Sequence, residues 1–221
     1  MDDNALELEM ERRFYGYGRW DAPHWFIGLE EGKGRNELAD NSPRVNAWDQ
    51  LGRTELCDCL EFHRLIGEKK YHKERPILQN TWRPLILLLK TFLDDRSDKD
   101  SFLRAFQRDR WGRVSGGGTC VIEMSGSAAK SLNVPKDRER FQPERIEGIH
   151  NRMLKYKPRL VVIYGGGKKK RECWEKIFES RFGPDGILKL ESTIVAHTAQ
   201  PAAHILKDTD WEALGQRLRA E

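Results

Sequence analysis

The stretch WFIGLEEGKG, residues 25–34, carries the strongest indication of the fold. Its first three residues are large and apolar, and a short continuous apolar run is typical of a strand that is buried on both faces. The run passes Gly28 and ends directly in Glu30 and Glu31. Adjacent carboxylates at the end of a buried strand are costly unless solvent or a function accounts for them. We therefore expect this strand to end at an exposed rim that carries chemistry.

Three more segments have the same character. They are VIEMSG (121–126) after a glycine-rich turn, RLVVIYGGG (159–167) and ESTIVAHT (191–198). Helical patterns separate the four strands, which is the arrangement of a parallel sheet covered on both faces. We expect helices at about 1–18, 44–66, 81–95, 99–110, 138–155, 169–182 and 211–220. The sequence thus predicts a three-layer α/β/α fold with a central four-stranded parallel sheet.

The domain organisation follows from the same pattern. We expect one domain over residues 1–221, with an N-terminal helix in residues 1–18 and a helical insertion, residues 44–112, between the first two strands. A chain of this length is ample to bury a core.

Composition limits the class of protein. Charged residues make up 33% of the chain, and no apolar run approaches the roughly 20 residues needed to span a membrane. The N-terminal MDDNALELEMERR is acidic and lacks the apolar core of a signal peptide. We expect a cytoplasmic protein without a membrane partner. The net charge of +4 permits a polyanionic partner, and basic residues cluster at 69–75 and 168–171.

The four cysteines show no CxxC spacing. Cys57, Asp58 and Cys59, with His63 one helical turn later, can be imagined as a metal site. Reduced thiols in a cytosolic protein are the interpretation we favour, so we expect no cofactor and no metal.

The carboxyl ends of the four strands carry unusual residues. In an open parallel sheet, ligands bind outside these ends. The fold would gather Glu30, Glu123 and His197 there, together with the bare backbone of 165–167. Other common motifs do not fit: GKGRNE lacks the third glycine of a dinucleotide fingerprint, YGGGKKKRE lacks the spacing of a P-loop, and no serine lies in a GxSxG elbow.

This layout resembles the uracil-DNA glycosylase superfamily, from about residue 15 to the C-terminus. GLEEG (28–32), VIEMSG (121–126) and HTAQPAAH (197–204) occupy the positions of its three motifs. The resemblance implies a uracil-DNA glycosylase-like fold and hydrolysis of the N-glycosidic bond of a base flipped out of DNA. It implies that Glu30 handles the attacking water, Glu123 reads the base and His197 stabilises charge on the departing base.

The departures from the family pattern bear on the substrate. Glu31 replaces a proline and either shares the water site or pairs with Arg35, and Thr198 follows His197 where the family has proline. Glu123 stands where asparagine is common. An ionised carboxylate only accepts hydrogen bonds, which suits the exocyclic amine of cytosine, whereas a carboxyl kept protonated by burial could serve both edges.

We therefore expect a modified cytosine, such as the sugar-decorated cytosine of phage DNA, in preference to uracil. Repair and antiviral defence both remain open. The expected partner is single-stranded or double-stranded DNA, and the expected assembly state is a monomer. Further base-binding candidates are Gly28, Tyr17 and Trp48, the aromatic residues by stacking. Candidates for DNA binding are Ser125, Gly165, Gly166, Lys168, Lys169, Gln200 and Pro201.

Two other classes of function stay open from the sequence. Glu30, Glu31 and Glu123 could ligate Mg²⁺ in a nuclease or nucleotide hydrolase. The protein could also bind DNA without cutting it.

Overall fold

A computed structural model describes residues 3–29, 42–126, 141–165, 167–203 and 205–221. Seven strands form one sheet. In chain order they are β1 (Gly16–Gly18), β2 (His24–Gly28), β3 (Leu56–Cys57), β4 (Thr119–Glu123), β5 (Leu160–Tyr164), β6 (Ile187–Leu190) and β7 (Thr193–Thr198). Their order across the sheet is β3-β1-β4-β2-β5-β7-β6.

Eight helices are described. They are α1 (Asp3–Arg13), α2 (Ser42–Gln50), α3 (Cys59–Leu65), α4 (Trp82–Phe92), α5 (Lys99–Asp109), α6 (Gln142–Tyr156), α7 (Gly167–Phe178) and α8 (Asp208–Ala220). Two short 3₁₀ helices lie at Lys69–Tyr71 and Pro201–Ala203. No helix in these ranges is long and apolar enough to cross a membrane.

The sheet is mixed and larger than the sequence predicted. β4, β2, β5 and β7 are parallel neighbours and correspond to the four expected strands. β1 runs antiparallel to β4, β3 lies parallel to β1, and β6 runs antiparallel to β7. The expected four-stranded parallel sheet is therefore not confirmed as stated. The α/β class is confirmed, and the three additional strands have only two to four residues, too few for a periodic pattern to show.

One expected helix is in fact two. Residues 44–66 form α2 and α3 with β3 between them. Gly52 and Arg53 both have positive φ, 80° and 54°, and this left-handed backbone ends the first helix. Asp58 then caps α3 by accepting from the amides of Leu60 and Glu61. A turn signal inside a continuous amphipathic pattern thus outweighs the pattern.

Side chains alternate between the two faces of the sheet. Phe26, Val121, Val162 and Ala196 pack in the core cluster of α2, α4 and α8, and we call this side the α4 face. Their neighbours Ile27, Ile122, Ile163 and Val195 pack with α6 and α7 on the opposite side, the α7 face. The alternation fixes which face each residue near a strand end belongs to.

Candidate active site

The strand order identifies where a ligand would bind. β2 lies between β4 and β5, so the chain leaves β2 for one neighbour and later crosses to the other. This reversal is a topological switch point, and ligands of open α/β sheets bind outside the carboxyl ends of the strands there. The residues at this point are Gly28 and Leu29 of β2's end, Tyr164 and Gly165 of β5's end, and Glu123 of β4.

The side chains of Glu123, in β4, and Tyr164, in β5, meet over β2, which lies between these two strands. The Tyr164 hydroxyl donates to Oε1 of Glu123 over 3.2 Å, although β4 and β5 are not neighbours in the sheet. Both side chains lie on the α4 face, by alternation from Val121 and Val162. Glu123 is half-buried and Tyr164 is buried, so a hydrogen-bonded carboxylate stands at the edge of the core.

Gly28 makes this meeting possible. It pairs with Glu123 in the parallel register of β2 and β4. A Cβ built on Gly28 would collide with Oε2 of Glu123 and would lie 2.7 Å from the hydroxyl of Tyr164. The missing side chain therefore creates the space in which the carboxylate and the phenol pack, and Gly28, Glu123 and Tyr164 form one unit, the strand-end triad.

A buried arginine holds the end of β4. Nη2 of Arg145 donates to the carbonyl of Glu123 at 2.6 Å, and Nε donates to that of Met124 at 2.8 Å. Its Nη1 donates to the carbonyls of Glu11 and Arg12 at the end of α1. Burial lowers the pKa of Arg145 to about 10, so the group stays charged at neutral pH.

Sequence reasoning missed both Arg145 and Tyr164. Arg145 belongs to a helix with many exposed charges, and Tyr164 ends an apolar run that predicted core. A weak signal existed for Tyr164, because a tyrosine at the carboxyl end of a buried strand carries a hydroxyl that needs a partner.

The side chain of Gln200 packs against the turn that follows β5. Gly165 has φ 84°, and a Cβ there would lie 2.8 Å from Oε1 of Gln200 and 3.9 Å from Cδ1 of Leu29. Pairing continues past the strands, since the Gly165 amide donates to the carbonyl of Thr198 over 3.2 Å. The exposed Gln200 therefore lies at the switch point, near Leu29, the residue that precedes Glu30.

His197 lies on the other face. It follows Val195 by two residues within β7, so its ring belongs to the α7 face, where it packs 5.7 Å from the ring of Phe182. Its Nε2 is 3.3 Å from the carbonyl oxygen of Gly165. Burial lowers its pKa, which makes the neutral ring the dominant form at pH 7. The structure does not bring His197 together with Glu123.

The two aromatic base-binding candidates are core residues. Trp48 is fully buried and its indole donates to the Thr54 carbonyl over 2.8 Å. Tyr17 is 3% exposed and packs edge-on against Phe62 and His63. Neither ring has a free surface on which a base could stack, which differs from the role expected from the sequence. Both side chains belong to the core cluster on the α4 face.

The structure describes some of the remaining candidate residues and not others. Ser125 continues the pairing of β4, because its amide donates to the carbonyl of Leu29 at 2.9 Å. Pro201 is buried at the start of a 3₁₀ helix. Lys168 and Lys169 lie in the first turn of α7, and nothing is described of their side chains. Glu30, Glu31 and Gly166 lie outside the described residues.

Chemically, the strand-end triad offers a carboxylate whose one oxygen is fixed by a phenol. Such a group accepts hydrogen bonds from amines and amides. In the described part of the chain, a separate group of Cys59, His63 and His72 could hold a metal ion, and it lies beside β3, away from the switch point.

No protein-family model matches the sequence, and no curated protein matches it.

Proposed function

We propose that this protein is a DNA glycosylase that hydrolyses the N-glycosidic bond of a flipped-out, modified cytosine. The observation that carries the proposal is the Glu123 carboxylate, fixed by Tyr164 over Gly28 at the switch point of the sheet. The resemblance of the three segments at the strand ends to the motifs of the uracil-DNA glycosylase superfamily supports the reaction type. A central four-stranded parallel region of uracil-DNA glycosylase type is part of the same proposal.

Glu123 would select the base. As an ionised carboxylate it would accept a hydrogen bond from the exocyclic amine of cytosine and would repel the carbonyl oxygen that uracil has at the same place. Tyr164 would act as a positioning residue, because its hydroxyl donates to Oε1 of Glu123 and thereby fixes the orientation of the carboxylate. Since a base inside a duplex cannot reach the strand ends, the nucleotide must first leave the stack.

Glu30 would handle the water. It follows Leu29, which lies beside Gly165 at the switch point. Breaking the glycosidic bond builds positive charge on the sugar, and a carboxylate next to it would stabilise that charge and orient or deprotonate the attacking water. Glu31, its neighbour, is a second candidate for contact with this water.

The departing base would gain negative charge, which a hydrogen-bond donor must stabilise. His197 is the candidate from the motif, but its Nε2 is directed at the carbonyl of Gly165. Gln200 lies on the rim over Gly165 and carries an amide donor. We propose that Gln200 contacts the leaving base and that His197 shapes the turn at Gly165.

The test is mass spectrometry of bases released from DNA. Substrates are duplexes that contain cytosine, hydroxymethylcytosine, glucosylated hydroxymethylcytosine or uracil, incubated with wild type and Glu30→Gln in the presence of EDTA. We expect release of a free modified cytosine and an alkali-labile abasic site, with loss of both in the variant. Glu191→Gln, at an 85% exposed side chain, is the control and should match wild type.

Three outcomes would overturn the proposal. Strand cleavage that EDTA abolishes would indicate the metal-dependent nuclease. DNA binding without any product, unchanged in Glu30→Gln, would indicate a non-catalytic DNA-binding protein. Folded wild-type protein that neither binds DNA nor releases a base would exclude both glycosylase and DNA-binding functions.

A further inference from the structure

A cysteine and two histidines meet beside β3. Cys59 and His63 are four residues apart on α3, so they lie on one face of that helix. The chain then turns through the 3₁₀ helix Lys69–Tyr71 and brings His72 back onto them. Sγ of Cys59 is 3.9 Å from Nδ1 of His63, which is 2.9 Å from Nε2 of His72. All three atoms lie within 4.8 Å of one another.

We propose that Cys59, His63 and His72 bind a divalent transition-metal ion of the Zn²⁺ class. A tetrahedral ion with bonds of about 2.3 Å to sulfur and about 2.0 Å to nitrogen places ligand atoms roughly 3.3–3.6 Å apart. The Cys59–His63 and His63–His72 separations differ from this by less than about 1 Å, and Cys59 and His72 lie within 4.8 Å of each other, so side-chain rotation can bring all three atoms to one ion. A thiolate and imidazoles suit zinc or cobalt(II), and they do not suit the oxygen-seeking Mg²⁺.

The surroundings fit a bound ion. Cys59 is fully buried and His63 is 3% exposed. The ring of Trp82 stacks on His63 at 5.4 Å and 8°, and Tyr17 packs edge-on against the same imidazole. An apolar shell of this kind limits the access of water and fixes the orientation of the ligands.

The backbone orients Cys59 toward the histidines. Its amide donates to the carbonyl of Gly112 over 3.0 Å. Gly112 has φ 59°, and a Cβ there would lie 2.8 Å from Cβ of Tyr17 and 3.0 Å from Cβ of Cys59. Glycine at this position therefore lets the loop before β4 press directly on Cys59.

The neighbours that the sequence offered as ligands have other partners. Both carboxylate oxygens of Asp58 accept from Nε of Arg113 at 2.9 Å, and Asp58 also caps α3. Cys57 points to the hydroxyl of Thr54, with Sγ to Oγ1 3.5 Å. The proposed ligand set therefore keeps Cys59 and His63 of the group considered from the sequence, leaves out Cys57 and Asp58, and takes its third member from 13 residues beyond Cys59. A bound ion would overturn the sequence-based expectation that the protein holds no metal.

Coordination by three protein atoms leaves the fourth position to water or a small anion. Binding converts the Cys59 thiol to a thiolate and releases its proton to solvent. The bound ion would join α3 to the segment after it, and through Trp82 to the start of α4. It therefore acts on local structure and is independent of the glycosylase proposal.

The experiment is a titration of chelator-treated protein with Co²⁺ under reducing conditions. We expect one equivalent to bind, with a near-ultraviolet thiolate-to-cobalt absorption band and visible bands of tetrahedral cobalt. Added Zn²⁺ should displace the cobalt, bleach these bands and raise the melting temperature. The circular dichroism spectrum confirms that the protein remains folded during the titration.

Variants locate the site. Cys59→Ala should remove the thiolate band, and His72→Asn, at a half-buried position, should weaken binding by more than about 100-fold, since loss of an outer-shell partner alone costs 10–100-fold. Cys57→Ala is the matched control, because its thiol is two residues away and has a different partner; it should bind as wild type does. Folded wild type without a thiolate band, or a band lost in Cys57→Ala and kept in Cys59→Ala, would overturn the proposal.

Discussion

At its carboxyl edge the sheet carries polar side chains on both faces, in different surroundings. On the α4 face, Glu123 and Tyr164 hydrogen-bond across the strand that contains Gly28. On the α7 face, His197 packs against Phe182 and is directed back at the sheet. One glycine leaves room for a polar pair on the first face, whereas an aromatic ring covers the second. Residues at neighbouring strand ends therefore form one site only if their side chains lie on the same face of the sheet.

The largest expected effect concerns the group that fixes the end of β4. Arg145→Met removes the side-chain hydrogen bonds that Arg145 donates to four backbone carbonyls, and a buried acceptor left unsatisfied costs about 1–3 kcal/mol. We expect the free energy of unfolding to fall by about 3–5 kcal/mol, measured by urea denaturation. Arg12→Ala is the control, because its ion pair with Glu144 is 60% and 54% exposed, and should cost below about 0.5 kcal/mol. Equal losses in both variants would contradict the role of Arg145.

Gly28→Ala tests the α4 face itself. The added methyl group occupies the space of the Glu123 carboxylate and the Tyr164 hydroxyl, so both must move. We expect base release to fall by at least about 100-fold, the cost of a displacement near 1 Å in a catalytic site. Gly118→Ala, at the other end of β4, meets nothing closer than 3.8 Å and should leave the rate unchanged. A fully active Gly28→Ala protein would remove the strand-end triad from the mechanism.

A pH-dependent contribution lies farther from the strand ends, where α8 packs on α4. Hydrogen bonding to Arg83, at 2.6 and 2.7 Å, lowers the pKa of Asp208 from 3.8 to about 2. The depressed folded-state pKa stabilises the protein above pH 3.8, and this contribution is lost as the pH falls toward 2.

Asp208→Asn should therefore lower the free energy of unfolding by about 1 kcal/mol at pH 7, after allowance for solvent screening, and by much less near pH 2. Thermal denaturation of both proteins between pH 2 and pH 7 measures the difference. A gap that stays constant over this range would show that the pair does not depend on charge.

The smallest expected effect is on the α7 face. His197→Gln keeps a donor that can reach the carbonyl of Gly165, so we expect base release to fall by less than about ten-fold, or 1.4 kcal/mol. Gln200→Ala should cost more. If His197 stabilises the departing base directly, its variant would instead lose about 10²–10³-fold, as enzymes do that lose one oxyanion donor. The ratio of the two variants' rates shows whether His197 or Gln200 contacts the departing base.

The sequence predicted much of this arrangement and missed identifiable parts. Apolar runs and their spacing were sufficient for the four central strands and for Glu123 and Gly28 at a common edge. They were insufficient for the face of His197, because alternation along one strand says nothing about its neighbour until the register is known.

The sequence also could not predict contacts between residues that are far apart in the chain. Arg145 resembled the exposed charged residues of its helix, because nothing in the sequence of α6 indicates that backbone carbonyls of α1 and β4 surround it. His72 lies in a polar segment, and only the turn through Lys69–Tyr71 brings it to His63. Such contacts depend on tertiary structure, whereas local periodicity reports only the local backbone.

The most direct test of the account is the substrate preference of Glu123→Gln. Base release is measured by mass spectrometry from two duplexes of identical sequence, one with glucosylated hydroxymethylcytosine and one with uracil at the same position. An amide both donates and accepts hydrogen bonds, so the substituted side chain would no longer disfavour uracil. We therefore expect the ratio of the release rate of the modified cytosine to that of uracil to fall by at least about ten-fold in Glu123→Gln. An unchanged preference, in a folded variant that still depends on Glu30, would contradict base reading by Glu123.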